Sequence, residues 1–325
     1  MSRPPVFPLK PPARPGVFRR TPPAIFVPIL GLLGLGVVWR KAVSVYSLPT
    51  GLVEMVLGAV SLLWLFALLA YLVKVVRRPG VISEDLRILP GRAGLAALAM
   101  SVELMAAVLA PYAPSLARAV LLAGLAVHLG MMVLLVRVIL ASPPEGRAVT
   151  PVWHLAFVGI IVSGIAALDL GEAGLARALL YATMPVAGAI WGISLVQLIR
   201  RIPPAPLRPL LAIHLAPASL FASVSAGLGE NGLASGFVLL GGLILLAILV
   251  SLRWIIEAGF SPLWGAFTFP LAAYAGALLR NGPGWEDAGA VFLIAATLVI
   301  PPIALKIMQA WAKGELAART NAAAA

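Results

Sequence analysis

The chain has 325 residues, 61% of them hydrophobic and 11% charged, a formal net charge of +12 and a mean hydropathy of +1.03. Soluble domains carry roughly 25% charged residues, so this composition belongs in a bilayer, with lipid as its surroundings. The chain has no cysteine, which excludes disulfides, thiolate metal sites and a cysteine nucleophile. The positive charge does not point to nucleic acid, because Lys and Arg gather at the ends of apolar segments and no aromatic and basic ladder occurs.

Residues 1–23, MSRPPVFPLKPPARPGVFRRTPP, are rich in proline and basic residues and too poor in apolar ones to fold alone, which predicts a disordered cytoplasmic tail. They do not read as a signal peptide, since no small-residue cleavage site follows. Ten apolar segments come next: 24–39, 51–76, 91–110, 116–141, 151–169, 173–199, 207–228, 232–257, 262–280 and 285–313. All but the first approach or exceed the roughly 20 residues a helix needs to cross a bilayer. A channel-like domain is therefore expected over 24–313, followed by a low-complexity tail over 314–325.

The segments are of two kinds. Odd ones hold 16 to 22 residues, three of them with an interior proline at Pro28, Pro217 or Pro270, while even ones hold 26 to 29 and are mostly Leu-rich. The odd segments begin at 24, 91, 151, 207 and 262, a spacing near 60 residues that marks a helical hairpin used five times. Short, proline-broken helices need cover for their freed carbonyls, whereas long unbroken ones face lipid without cost. Five odd helices inside and five even helices outside is the consistent arrangement, and it leaves a central hole. Of the 24 Lys and Arg, 19 fall on the side of the termini and 5 on the other, so both termini are expected in the cytoplasm.

Polar residues on the odd segments are few: Glu103, His154, Ser163, His214, Ser219, Ser223, Ser225 and Thr268, with Asp169 and Arg280 at segment ends. Glu103 is a candidate because an intramembrane carboxylate is costly. His128, His154 and His214 read better as interhelical hydrogen-bonding groups than as metal ligands, since no two share a helix at ligand spacing. The spans hold no paired acids and no HExxH, and Glu84-Asp85 and Glu286-Asp287 fall in loops, which argues against an intramembrane enzyme. No cofactor is expected, and no basic residue is placed in mid-pore.

The run LASGFVLLGGLILLAILVSLRWIIEAGFSPLWGAFTFPLAAYAGA resembles the eighth and ninth helices of the TehA and slow anion channel family, the tellurite-resistance and dicarboxylate transporters. Its most telling motif is W-x-x-F-[ST]-F, here Trp264 to Phe269. AIFVPILGLLGLGVVW, TPVWHLAFVG, LRPLLAIHLAPASLFASVSA and ALKIMQAWAKGEL agree with it in order and spacing. The resemblance implies an all-α membrane protein of ten helices, five hairpins in a quasi-fivefold circle around a pore. It further implies homotrimers in the bacterial inner membrane, with Phe269 plugging each pore. Phe26, Pro28, Glu103, Pro217, Thr268 and Pro270 are the further pore-lining or kink candidates. Family members often carry a mid-helix proline in the third and fifth helices, where this chain has Met100 and Ala156. The function implied is a gated channel for small anions. The alternative is a tellurite or C4-dicarboxylate transporter, coupled to protons through Glu103.

Overall fold

The computed structural model describes residue 16 and residues 18–325, and every described secondary-structure element is helical. The disorder expected of residues 1–15 and 17 lies outside the described residues. Among the described residues nine helices are long and apolar enough to cross a membrane, and His154–Asp169 is a shorter apolar helix between them.

In chain order, a 3-10 turn (Pro23–Ile25) leads into α1 (Phe26–Val45), which is followed by α2 (Gly51–Arg77) and the short α3 (Val81–Arg87). Next come α4 (Leu89–Leu109) and α5 (Pro114–Leu140). The fifth apolar segment is irregular: a π turn (His154–Val158), a 3-10 turn (Gly159–Val162) and only then α6 (Ser163–Asp169). After α7 (Ala173–Arg200), a 3-10 stretch (Ala205–His214) precedes α8 (Leu215–Gly227). Then follow α9 (Asn231–Val250), the one-turn α10 (Leu252–Ile255), a 3-10 stretch (Pro262–Phe267), α11 (Thr268–Arg280), α12 (Glu286–Ala312) and α13 (Glu315–Arg319).

The prolines that lie inside α-helix are on two of the long helices expected to be unbroken, Pro185 of α7 and Pro301 and Pro302 of α12, while the three expected to kink the short segments do something simpler. Pro28, Pro217 and Pro270 are each the third residue of an α-helix, in the first turn, where a missing N–H costs nothing. The chain before each is 3-10, so the irregularity precedes the proline and the α-helix after it runs unbroken. The third segment, with Met100 in place of a proline, is one continuous helix. The fifth, with Ala156, is broken all the same. His128 of α5 reaches the Ala156 carbonyl at 3.1 Å, which occupies an acceptor at the turn where the ladder changes register.

Burial separates the helices into two sets. In α1, α4, α8 and α11, with their leading turns, 78 to 83% of the spanning residues are buried; in α2, α5, α7, α9 and α12 only 22 to 33% are. Contacts among the inner set close a cycle: α1 packs on α4, α4 on α6, α6 on α8, α8 on α11, and α11 on α1. Each outer helix lies against the inner helix before it in the chain.

The hairpin turns repeat in detail. Leu170-Gly171-Glu172 and Leu228-Gly229-Glu230 close α6 and α8 in the same way, with the glycine left-handed at φ 79° and 76°. The Glu172 N–H returns to the Ala167 carbonyl at 2.7 Å, and the Glu230 N–H to the Ser225 carbonyl at 2.9 Å. Glu172 then meets Arg118, and Glu230 meets Arg177, each arginine lying early in the preceding outer helix.

The last twelve residues are built into the fold, unlike the tail expected there. Leu316 and Ala317 are buried, the Ala323 N–H donates to Asp85 at 2.9 Å, and Arg78 donates to the Ala324 carbonyl at 2.6 Å. Asp85 also pairs at 2.8 Å with Lys74 and accepts from Tyr71, and both partners of the ion pair are wholly buried.

Candidate functional site on the axis of the inner helices

Two small cavities lie within the cycle, one toward each end, and residues of all five inner units line both. The first, at the N-terminal ends, takes Ala24, Ala93, Leu155, Ile213 and Ala266 from successive units. In 3-10 helix, residues three apart eclipse. Leu210 with Ile213, and Leu263 with Ala266, accordingly face this cavity together. Ala24, Ile213 and Ala266 each stand four residues before one of the three prolines, so their carbonyls have no i+4 donor. Thr320, from the C-terminal segment, closes the same cavity.

The second cavity is lined by Gly34 of α1, Leu104 of α4, Ile165 of α6, Leu220 of α8 and Phe269 of α11. Each cavity has a volume of about 20 Å³, room for one water molecule. Two roomier grooves, of about 660 and 800 Å³, lie off the axis, along α7 and between α2 and α12. Both axial cavities are small, and apart from Thr320 in the first and Ser223 and Arg280 in the second their walls are apolar.

Phe269 occupies the second position of α11, immediately after 3-10 helix gives way to α-helix. It is 4% exposed, and its ring lies directly over Gly34. A Cβ at Gly34 would stand 3.0 Å from the ring's Cδ2 and 3.2 Å from its Cε2, so the ring fits there because α1 has no side chain at that point. Pro270 follows in the first turn of α11, leaving α-helix on one side of Phe269 and 3-10 helix on the other.

The other candidates land elsewhere. Thr268 seals α11 against α1: its hydroxyl donates to the Gly265 carbonyl at 2.7 Å, and it fills the space over Gly31. Phe26, expected at the pore, instead packs edge-on against Tyr71 of the outer helix α2, with ring centroids 6.0 Å apart. Pro28 is buried in the first turn of α1. Pro217 lines a pocket of about 10 Å³ with Met100 and His154, between neighbouring inner units.

Glu103 faces outward from α4. Its Oε1 lies 2.9 Å from His128 Nδ1, its chain covers Gly124 of α5, and its Oε2 is buried without a hydrogen-bond partner. Glu103 lines neither axial cavity; it lies between α4 and α5, close to Ser163 of α6. His154 and His214 meet each other at 3.0 Å between neighbouring inner units. Among the described residues no group of three or more His, Asp or Glu is placed to hold a metal ion.

Sequence reasoning missed two axial residues. Gly34 was submerged in a glycine-rich run that reads as ordinary close packing. Arg280 was placed at a segment end, yet it lines the second cavity together with Phe269 and Ala273. A signal was available: 269, 273, 276 and 280 recur at helical spacing on one face.

A family model described as voltage-dependent anion channel matches residues 20–307. A comparison with curated proteins finds no match.

Proposed function

Since the chain belongs to the voltage-dependent anion channel family, we propose that it is a channel whose axis is shut by Phe269 and that passes small anions when the ring moves aside. The observation that carries this reading is the ring's seat: a buried phenyl group resting on Gly34 in a cavity that all five inner units line. An apolar constriction that admits at most a water or so blocks ions by dewetting. The ring's positive edge tolerates an anion once the constriction opens.

The cycle of inner contacts and the repeated Leu-Gly-Glu turns support ten spans in quasi-fivefold order. In that arrangement the inner segments all start on the side richer in Lys and Arg. Their positive dipole ends would then converge on the first cavity and draw anions to it. We place this side, with both termini, in the cytoplasm and the protein in a bacterial inner membrane. Because the cycle of five inner units closes within one chain, each protomer of the expected homotrimer would conduct by itself.

Planar-bilayer recording of the purified protein tests the gate. Phe269→Ala is expected to raise anion current at least tenfold, the equivalent of about 1.4 kcal/mol off the barrier. An unchanged current from a folded protein would sink the assignment. The rival reading, a proton-coupled carrier of tellurite or C4-dicarboxylates, depends on Glu103. The seat of Glu103 against His128, off the axis, favours the channel. Glu103→Gln should leave the current of the Phe269→Ala protein within about twofold, and a pH-driven dicarboxylate uptake that this substitution abolishes would restore the carrier.

A further inference from the structure

Arg280 is the last residue of α11, eleven positions, or about three turns, beyond Phe269. Its side chain turns back along the helix: one guanidinium nitrogen, Nη1, lies 3.1 Å from where a Cβ of Gly276 would stand. Gly276, one turn earlier on the same face, thus leaves the guanidinium its place on the axis. The half-buried arginine makes no hydrogen bond or ion pair among the described residues. Asp169 at the end of α6, the acid that acts on it electrostatically, stands beyond ion-pair distance and also faces Arg40 and Lys41.

The rest of the cavity offers an anion nothing else. Val37, Leu104, Ile165 and Leu220 are apolar, and the Ser223 hydroxyl already donates to the Ser219 carbonyl at 2.9 Å. A guanidinium carries five N–H donors and cannot shed its charge, so one turned into an apolar cavity with no carboxylate within ion-pair distance keeps donors free for an anion.

We propose that the axial cavity beside Phe269 is a binding site for one small monatomic anion, a halide such as chloride, with Arg280 as its cationic wall and the Phe269 ring as its lid. The site rests on the channel reading and deepens it, since it puts the ion's resting place on the far side of the gate from the first cavity. Charge focused in a low-dielectric cleft raises the local concentration of counter-ions tenfold or more. The guanidinium would therefore set anion preference at this mouth.

Two measurements on the full chain test the site. In planar bilayers with a potassium chloride gradient, the Phe269→Ala protein should be anion-selective. Adding Arg280→Gln, or Arg280→Met to keep the apolar stem, should lower the chloride-to-potassium permeability ratio roughly tenfold. Adding Arg280→Lys should keep it within about twofold. Equal ratios for Arg280, Gln and Met at this position would overturn the site. If the Phe269→Ala protein passes no anions, the channel reading fails on its own, and binding is judged separately by thermal unfolding in detergent. Replacing gluconate with chloride at constant ionic strength should raise the Tm of the unsubstituted protein and of Arg280→Lys, but not of Arg280→Gln or Arg280→Met. No rise in the unsubstituted protein, or an equal rise in all four, refutes the binding site.

Discussion

Gly34→Ala is the smallest change that should disturb the gate while leaving Phe269 in place. The new methyl carbon would stand 3.0 Å from Cδ2 and 3.2 Å from Cε2 of the ring, while its next neighbour, the Ala272 methyl, is at an ordinary 3.7 Å. Carbon atoms rest about 3.5–4.0 Å apart, so the ring has to retreat by roughly 0.5–1 Å or rotate off its rotamer. A rotation of some 30° costs about 0.5–1.5 kcal/mol, and against a shut gate that is a two- to tenfold gain in open population. Basal anion current in reconstituted bilayers should rise by that factor. In the Phe269→Ala background the same substitution should add almost nothing, because the ring is the one close obstacle. A double-mutant cycle reads this directly. Equal effects of Gly34→Ala with and without the ring would refute the reasoning, as would no effect in a protein of unchanged Tm.

Lys74→Met leaves the buried Asp85 carboxyl without its ion-pair partner, and should destabilise the detergent-solubilised protein by about 3–5 kcal/mol. Replacing Asp85 with leucine as well should recover part of the lost Tm, and a single variant as stable as the parent would show the pair to be dispensable. Arg78 holds Glu84 through two hydrogen bonds and lowers the carboxyl's pKa below the usual carboxylate range. Such a group contributes above its unfolded pKa and loses its contribution as pH falls through the lowered one. Amide exchange at Ala323 to Ala325, measured relative to other exposed amides, should therefore increase in acid, below roughly pH 4. Protection that stays constant down to pH 3 would show that Arg78 and Glu84 do not help to hold the C-terminal segment.

The alternation of short and long segments was legible because a helix's surroundings set its composition: the short, small-residue segments are those that proved buried, and the Leu-rich ones face outward. Helix type within a segment was not legible. Pro28, Pro217 and Pro270 look interior when a segment is bounded by apolarity alone, but hydrophobicity does not distinguish 3-10 from α, and each proline marks where one becomes the other. The break in the fifth segment had no proline to announce it, because part of its cause lies on another helix, in the bond from His128 to Ala156. Phe26 and Phe269 both sit at helix starts, yet one ring turns to α2 and the other to the axis, a choice that depends on Tyr71 and Gly34, distant in sequence. Alanine repetition concealed the C-terminal segment, whose hold is a backbone N–H on a buried carboxylate.

The 3-10 stretches that open α8 and α11 also bear on how far these helices reach. A 3-10 helix rises about 2.0 Å per residue against 1.5 Å for an α-helix. Ten such residues before α8 lengthen that unit by about 5 Å, and six before α11 lengthen it by about 3 Å. The 19 residues from Pro262 to Arg280 thereby come to just over 30 Å, close to the thickness of a hydrocarbon core, instead of falling a little short of it. Thinner helix at one end lets few residues span the bilayer, so the units of α8 and α11 match the membrane by stretching where the outer helices match it by length.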